Sequence, residues 1–153
     1  MPKVLLPVSH LRQRSESDCL AACAAMVLQY LRFDIEYVDL LLLLQIRNFG
    51  APAGNIRRLS QRGLHVTYSV SDLAGLHQLV NGGTPVIVFV RTGDLPYWSH
   101  STDHALVVVG LDSDAQQVLV HDPYFDQGPQ AIPEGDFDLA WSERDYHYAT
   151  ITR

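Results

Sequence analysis

The chain has two cysteines, Cys19 and Cys23, and the first is expected where a thiol can become a nucleophile. Ser17 and Asp18 stand in the place of an N-cap ahead of the alanine-rich run Ser15 to Leu31, so a helix should start at or just before Cys19. Unpaired backbone N–H groups and the macrodipole at a first helical turn favour an anion, which lowers the pKa of a thiol held there. The plainer reading of a cysteine, a small buried hydrophobe, suits Cys23, one turn further in and amid Ala21, Ala22, Ala24 and Ala25. For Cys19 both readings stay open at this point.

A nucleophilic thiol needs a base. Of the seven histidines, His104 opens the β-branched run Ala105 to Leu111, where a loop gives way to a rigid strand end. His100 competes from the loop Trp98 to His104, where it is held less firmly. His10, His65, His77, His121 and His147 have no evident companion to orient them and read as surface histidines. Asp122 suits the task of holding the imidazole, because it ends the run Val118 to His121 and Pro123 pushes it toward an extended conformation. If Ala105 to Leu111 and Gln117 to Val120 pair across a turn at Asp112 to Gln116, with Leu111 opposite Gln117, His104 and Asp122 become neighbours. Asp103 is a rival orienter, but adjacent strand residues point to opposite faces, and an Asp before Pro is equally a turn former. Gln13, six positions before Cys19, is a candidate to bring its side-chain amide beside the Cys19 backbone N–H as an oxyanion donor.

The elements that must position these groups follow from periodicity and punctuation. After the Cys19 helix, a second helix is predicted over Glu36 to Arg47 and a short third over Asn55 to Arg62, stopped by Gly63. Leu64 to Val70 alternates like a strand, and Ser71 to Val80 reads as a capped helix ending at Gly82-Gly83. Pro85 to Arg91, Ala105 to Leu111, Gln117 to Val120 and Tyr146 to Thr152 read as strands. The implied class is α+β, a helical N-terminal half packed on a C-terminal antiparallel sheet. With 153 residues, 47% of them hydrophobic, residues 1–153 are expected to form a single domain.

Composition removes several partners. A formal charge of −6 leaves no basic face for nucleic acid. The most apolar run, Leu40 to Leu44, is far shorter than the ~20 residues that span a membrane, so no membrane association is expected. Two cysteines make no disulfide framework and the N-terminus lacks the order of a secretion signal, which together imply a reducing, cytoplasmic setting.

The segment Gln13-Arg14-Ser15-Glu16-Ser17-Asp18-Cys19-Leu20-Ala21-Ala22-Cys23, then Asp103-His104-Ala105-Leu106-Val107-Val108-Val109-Gly110, then His121-Asp122-Pro123 resembles the bacteriocin-processing cysteine peptidases, the double-glycine leader peptidases of the papain-like superfamily. Pro52 to Leu59 and Gly82 to Ile87 fit the same scheme. The resemblance implies a papain-like fold in which Cys19 is the nucleophile, His104 the base, Asp122 its orienter and Gln13 the oxyanion donor, acting on a peptide or protein substrate without a cofactor. Leu20 departs from it, since many members carry Gly after the cysteine. The chain also lacks the ~20-residue apolar span and the phosphate loop of the exporters that carry such domains, which implies a free-standing version.

Two other readings use the same residues. A peptide-binding or regulatory module could keep the fold without turnover, with Tyr97, Trp98, Tyr124 and Phe125 lining a groove. A metal site could draw on Cys19, Cys23, His100 and His104, though these permissive spacings lack the compact halves of a structural zinc site.

Overall fold

A computed structural model describes residues 3–153. Its frame is a seven-stranded sheet in which every pairing is antiparallel: β1 Lys3–Leu5, β2 His65–Val70, β3 Val86–Arg91, β4 Asp103–Asp112, β5 Gln117–His121, β6 Gln130–Pro133 and β7 His147–Thr152. The spatial order is β2-β7-β3-β4-β5-β6, with β1 continuing the sheet beside the far end of β4. The central strands β3 and β4 each carry an apolar run, Val86 to Val90 and Ala105 to Val109, that is buried throughout. Such runs, lacking polar alternation, belong to strands covered on both faces.

Helix α1, Cys19–Tyr30, packs against β4, and its alanines permit the close approach: Ala21, Ala22 and Ala24 are wholly buried. Helix α2, Tyr37–Leu43, lies beside α1. It is shorter than the predicted Glu36 to Arg47 because only Leu40 of its residues is fully buried, so packing sustains about two turns. The segment Ala53–Arg62 is 3₁₀ helix, closed by Gly63 at φ 83°, a left-handed conformation that glycine adopts freely. Helix α3, Leu73–Asn81, starts on Asp72, whose carboxylate accepts the Gly75 N–H at 2.8 Å. Helix α4, Glu134–Ser142, packs on β3, β5 and β6. The core runs through these layers and includes Met26, Leu40, Ile87, Leu106, Ile132 and Trp141.

The expected α+β class, with helices on an antiparallel sheet, is the observed one, although the halves are less segregated than the sequence suggests. β1 lies in the N-terminal half, and β6 and α4 were not anticipated in the C-terminal half. β1 and β6 have three and four residues, too few for a period to show. Helix α4 (EGDFDLAWS) carries Gly135 and three acidic residues in nine positions, a poor helical signal. It stands because Phe137, Ala140 and Trp141 are buried and the Trp141 indole N–H donates to the His147 carbonyl at 2.8 Å.

One irregularity in the sheet decides how the site is built. Toward the hairpin turn, Asp112 pairs with Gln117, Leu111 with Val118 and Gly110 with Leu119, one residue out from the register expected of Leu111. Continued without interruption, that ladder would set Asp122 opposite Val107, on the face away from His104. The register shifts between Gly110 and Val108, a β-bulge at Val109, after which Val108 pairs with Val120 and Val107 with His121. Asp122 thereby comes opposite Leu106, on the same face as His104 and two residues from it, a diagonal that side chains can span. The Val109 carbonyl, out of the β4–β5 ladder, accepts the Leu6 N–H at 2.8 Å. Gly110 beside it permits β1 to approach, since a Cβ there would collide with the Val4 carbonyl oxygen.

Candidate active site

The first residue of α1 is Cys19, so its sulfur sits where the orphan N–H groups of the helix point. Asp18 is the N-cap residue in position only. Its buried carboxylate makes no cap bond but turns back to accept the backbone N–H groups of Arg14 and Ser15 at 2.9 and 2.8 Å and the Tyr37 hydroxyl at 2.6 Å. Burial opposes its ionisation, yet these donors hold its pKa below the usual value. Asp18 thus fastens the loop before the helix and fixes where Cys19 begins it.

His104, 6% exposed, reaches Asp122, which is fully buried, with 2.7 Å between Nε2 and Oδ1. Because Asp122 takes Nε2, the other ring nitrogen, Nδ1, is left for the thiol. Burial disfavours an imidazolium here, but the hydrogen bond His104 donates to Asp122, the Cys19 side chain beside it and the charges of both raise the His104 pKa to about 9. The carboxylate is stabilised in turn. Burial alone would neutralise Asp122, while donation from His104, Trp98 and the Tyr124 N–H lowers its pKa. Cys23 has no such help: wholly buried, its thiol is pushed well above the ordinary range by desolvation first and by Cys19 and Asp122 second.

The four aromatics do not line a groove as expected. Tyr97 Oη and Trp98 Nε1 both donate to Asp122 Oδ2, at 2.9 and 2.8 Å, and Tyr124 donates its backbone N–H to Oδ1 at 3.0 Å. The Trp98 ring packs edge-on against His104 at 4.9 Å between centroids, and Tyr124 and Phe125 complete the cluster. Desolvation and Asp122 both raise the Tyr97 pKa, keeping it a donor. A buried carboxylate whose imidazole occupies one oxygen has lone pairs to satisfy, and this is the signal by which donors in the loop before β4 were open to prediction.

Gln13 is 8% exposed, and its backbone N–H donates to the Pro123 carbonyl at 2.7 Å. With the His10–Phe125 carbonyl hydrogen bond (2.7 Å) and the Arg12–Asp126 ion pair, this laces residues 10–13 to the loop that follows Asp122. Its side-chain N donates to the Ser15 carbonyl at 2.7 Å, which uses one of that nitrogen's two hydrogens. Gln13 is not among the residues lining the cavity described next.

A cavity of about 500 Å³ opens over Cys19 and His104, bounded by Ser17, Leu20, Phe49 to Ala53, Phe89, Arg91, Ser101 to Ala105 and Arg144. Asp103 turns away from Asp122, as strand alternation requires, and pairs with Arg91 at 3.0 Å and Arg144 at 3.6 Å on the cavity wall. His100 is exposed, its ring edge-on to Trp98, outside the Cys19–His104–Asp122 row. Among the described residues, no group of three or more His, Cys, Asp or Glu side chains is placed to hold a metal ion. No helix among them is long and apolar enough to cross a membrane.

The sequence model of the Peptidase_C39 like family matches residues 5–149. No curated protein matches the chain at the sequence level. Among solved structures, a C39-like peptidase from Bacillus anthracis is similar over 99% of this chain and 98% of its own, with 17% identity and a TM-score of 0.82. A double glycine motif protease from an AMS/PCAT transporter, solved in complex with the leader peptide, covers 97% of this chain and 94% of its own at 20% identity, TM-score 0.74. Xylellain, a cysteine protease from Xylella fastidiosa, covers 99% of this chain and 86% of its own at 15% identity, TM-score 0.73.

Proposed function

Since the chain belongs to the Peptidase_C39 like family and has the papain-like fold, we propose that it hydrolyses a peptide bond with Cys19 as nucleophile, His104 as base and acid, Asp122 as orienter, and Gln13 with the Cys19 N–H as oxyanion donors. The observation that carries this reading is the buried His104 Nε2–Asp122 Oδ1 bond of 2.7 Å, which leaves Nδ1 for a sulfur at a helix N-terminus beside an open cavity.

With its pKa raised to about 9, His104 holds its proton at neutral pH, and an imidazolium next to sulfur favours the thiolate. The thiolate attacks the scissile carbonyl carbon, and the carbonyl π pair moves onto oxygen. That oxyanion is met by the Cys19 N–H and by the second Gln13 amide hydrogen, once the side chain turns into the cavity. Collapse re-forms the carbonyl and expels the amine, which takes the proton from His104 Nδ1, leaving a thioester and a neutral ring. Water then gives a proton to Nδ1 as its oxygen attacks the thioester, and departure of the thiolate restores the ion pair and frees the acid. Asp122 fixes the ring and stabilises its cationic form throughout.

The substrate is a peptide or protein, a reading supported by the leader peptide held in the complex of the transporter protease above. Turnover of a peptide library by the wild type and its loss in Cys19→Ala test the assignment. Hydrolysis that survives in Cys19→Ala would refute it. A silent peptide-binding module remains the second reading, and the observation favouring it is the Gln13 amide held on the Ser15 carbonyl away from the cavity. Calorimetric binding of peptides by wild type and Cys19→Ala alike, with no cleavage by the wild type, selects that reading.

A further inference from the structure

His10 and His121 are two of the imidazoles that the mechanism does not use, and both are tied in the same way. His121 is 4% exposed and bonds through Nε2 to the Val8 carbonyl at 2.7 Å. His10 bonds through Nε2 to the Phe125 carbonyl at 2.7 Å. A carbonyl only accepts, so each Nε2 carries hydrogen, and each neutral ring keeps a bare lone pair on Nδ1. Both Nδ1 atoms are buried and have no hydrogen-bond partner among the described residues. The rings meet edge to face, 5.1 Å between centroids, and the two lone-pair nitrogens converge on one residue without a side chain. A Cβ on Gly128 would collide with His121 Nδ1 and stand 3.1 Å from His10 Nδ1. This space borders a second cavity of about 400 Å³, walled by Leu5 to Val8, Gly128 and Pro129 and separate from the cleft over Cys19.

Two facing acceptors with nothing to accept from are costly when buried. A shared electrophile removes that cost. An imidazole whose far N–H donates to a backbone carbonyl is fixed in the tautomer and orientation of a metal ligand, and that arrangement is what surrounds nearly every histidine bound to a metal. Borderline ions of the zinc, nickel and copper group prefer such nitrogen donors over the oxygen ligands that calcium and magnesium require. We infer that His10 and His121 form a two-imidazole site for a divalent transition-metal ion, completed by water from the adjoining cavity. The ion would clip the N-terminal segment, through His10, to the end of β5, through His121, at a place distinct from the reacting atoms.

The test uses the Cys19→Ala chain, so that the cleft thiol cannot bind the metal. Isothermal titration with Zn²⁺ should give one equivalent bound in the order of micromolar, and the electron paramagnetic resonance spectrum of one equivalent of Cu²⁺ should show coupling to two imidazole nitrogens. Replacing His10→Phe keeps an aromatic ring against His121 and should weaken Zn²⁺ at least about tenfold, leaving one coupled nitrogen. Gly128→Ala keeps both rings and fills the space between them, with the same expected loss. Absence of saturable Zn²⁺ binding up to about 1 mM, fewer than two coupled nitrogens in the parent, or unchanged binding by a His10→Phe chain of native circular dichroism would each overturn the assignment.

Discussion

Asp122 holds more than an imidazole: its four accepted hydrogen bonds come from His104, Tyr97, Trp98 and the Tyr124 N–H. Trp98→Phe removes one donor to a buried carboxylate and should cost about 1.5–3 kcal/mol of stability, measured by urea unfolding in the Cys19→Ala background; an unchanged midpoint would show the contact to be idle. The pH profile separates two roles of His104. Peptide hydrolysis needs its proton for the leaving amine, so kcat/KM should fall as pH passes about 9, while alkylation of Cys19, which needs only the thiolate, should not fall there. Asp122→Asn withdraws the charge that raises that pKa and should move the alkaline limb of hydrolysis toward the ordinary histidine value, with kcat down by up to about 10⁴. At pH 7, iodoacetamide should label Cys19 and spare Cys23, which is wholly buried and whose desolvation keeps it a thiol. Peptide mapping by mass spectrometry reads this directly, and equal labelling of the two would contradict it.

The elements show what a lone sequence discloses and what it withholds. α1 begins at Cys19 as its capping residues predict, and β3, β4, β5 and β7 fall within two residues of the β-branched runs that announce them. The meeting of His104 with Asp122 was legible for a partly mistaken reason. Leu111 was expected opposite Gln117, whereas it faces Val118, and only the bulge at Val109 returns Asp122 to the face of His104. A bulge amid Val107, Val108 and Val109 leaves no trace in composition, because every residue there suits a strand. The aromatic donors to Asp122 leave only an indirect signal, the lone pairs that a buried carboxylate must satisfy: a loop Tyr or Trp has no periodicity to announce it, and which of them reaches the carboxylate is known only from the fold. Deleting Val109 makes the ladder continuous yet leaves Val108 opposite Val120 and Val107 opposite His121, so Asp122 and His104 stay on one face. We therefore expect a chain with native-like far-UV circular dichroism that retains hydrolysis; loss of activity in such a folded chain would mean that Val109 does more than correct the parity of the site.

Across the whole molecule, the buried ion pair writes itself into the pH dependence of folding. His104 has its pKa raised from 6.5 to about 9 in the folded state, so its contribution is complete below 6.5 and is lost as pH rises to about 9. Asp122 has its pKa lowered from 3.8, so its contribution is present above 3.8 and is lost as acid protonates it. Urea midpoints should therefore form a plateau between these limits and decline on either side, with both declines blunted in Asp122→Asn. The strand order carries another consequence, for biosynthesis. β7, at residues 147–152, does not lie at an edge but is inserted between β2 and β3. A nascent polypeptide that has emerged only to residue 146 already contains the sulfur, the imidazole and the carboxylate, yet the slot between β2 and β3 is vacant. Among the described residues β2 has no other strand to pair with, so the sheet beneath the site is complete only once residue 152 has emerged from the ribosome.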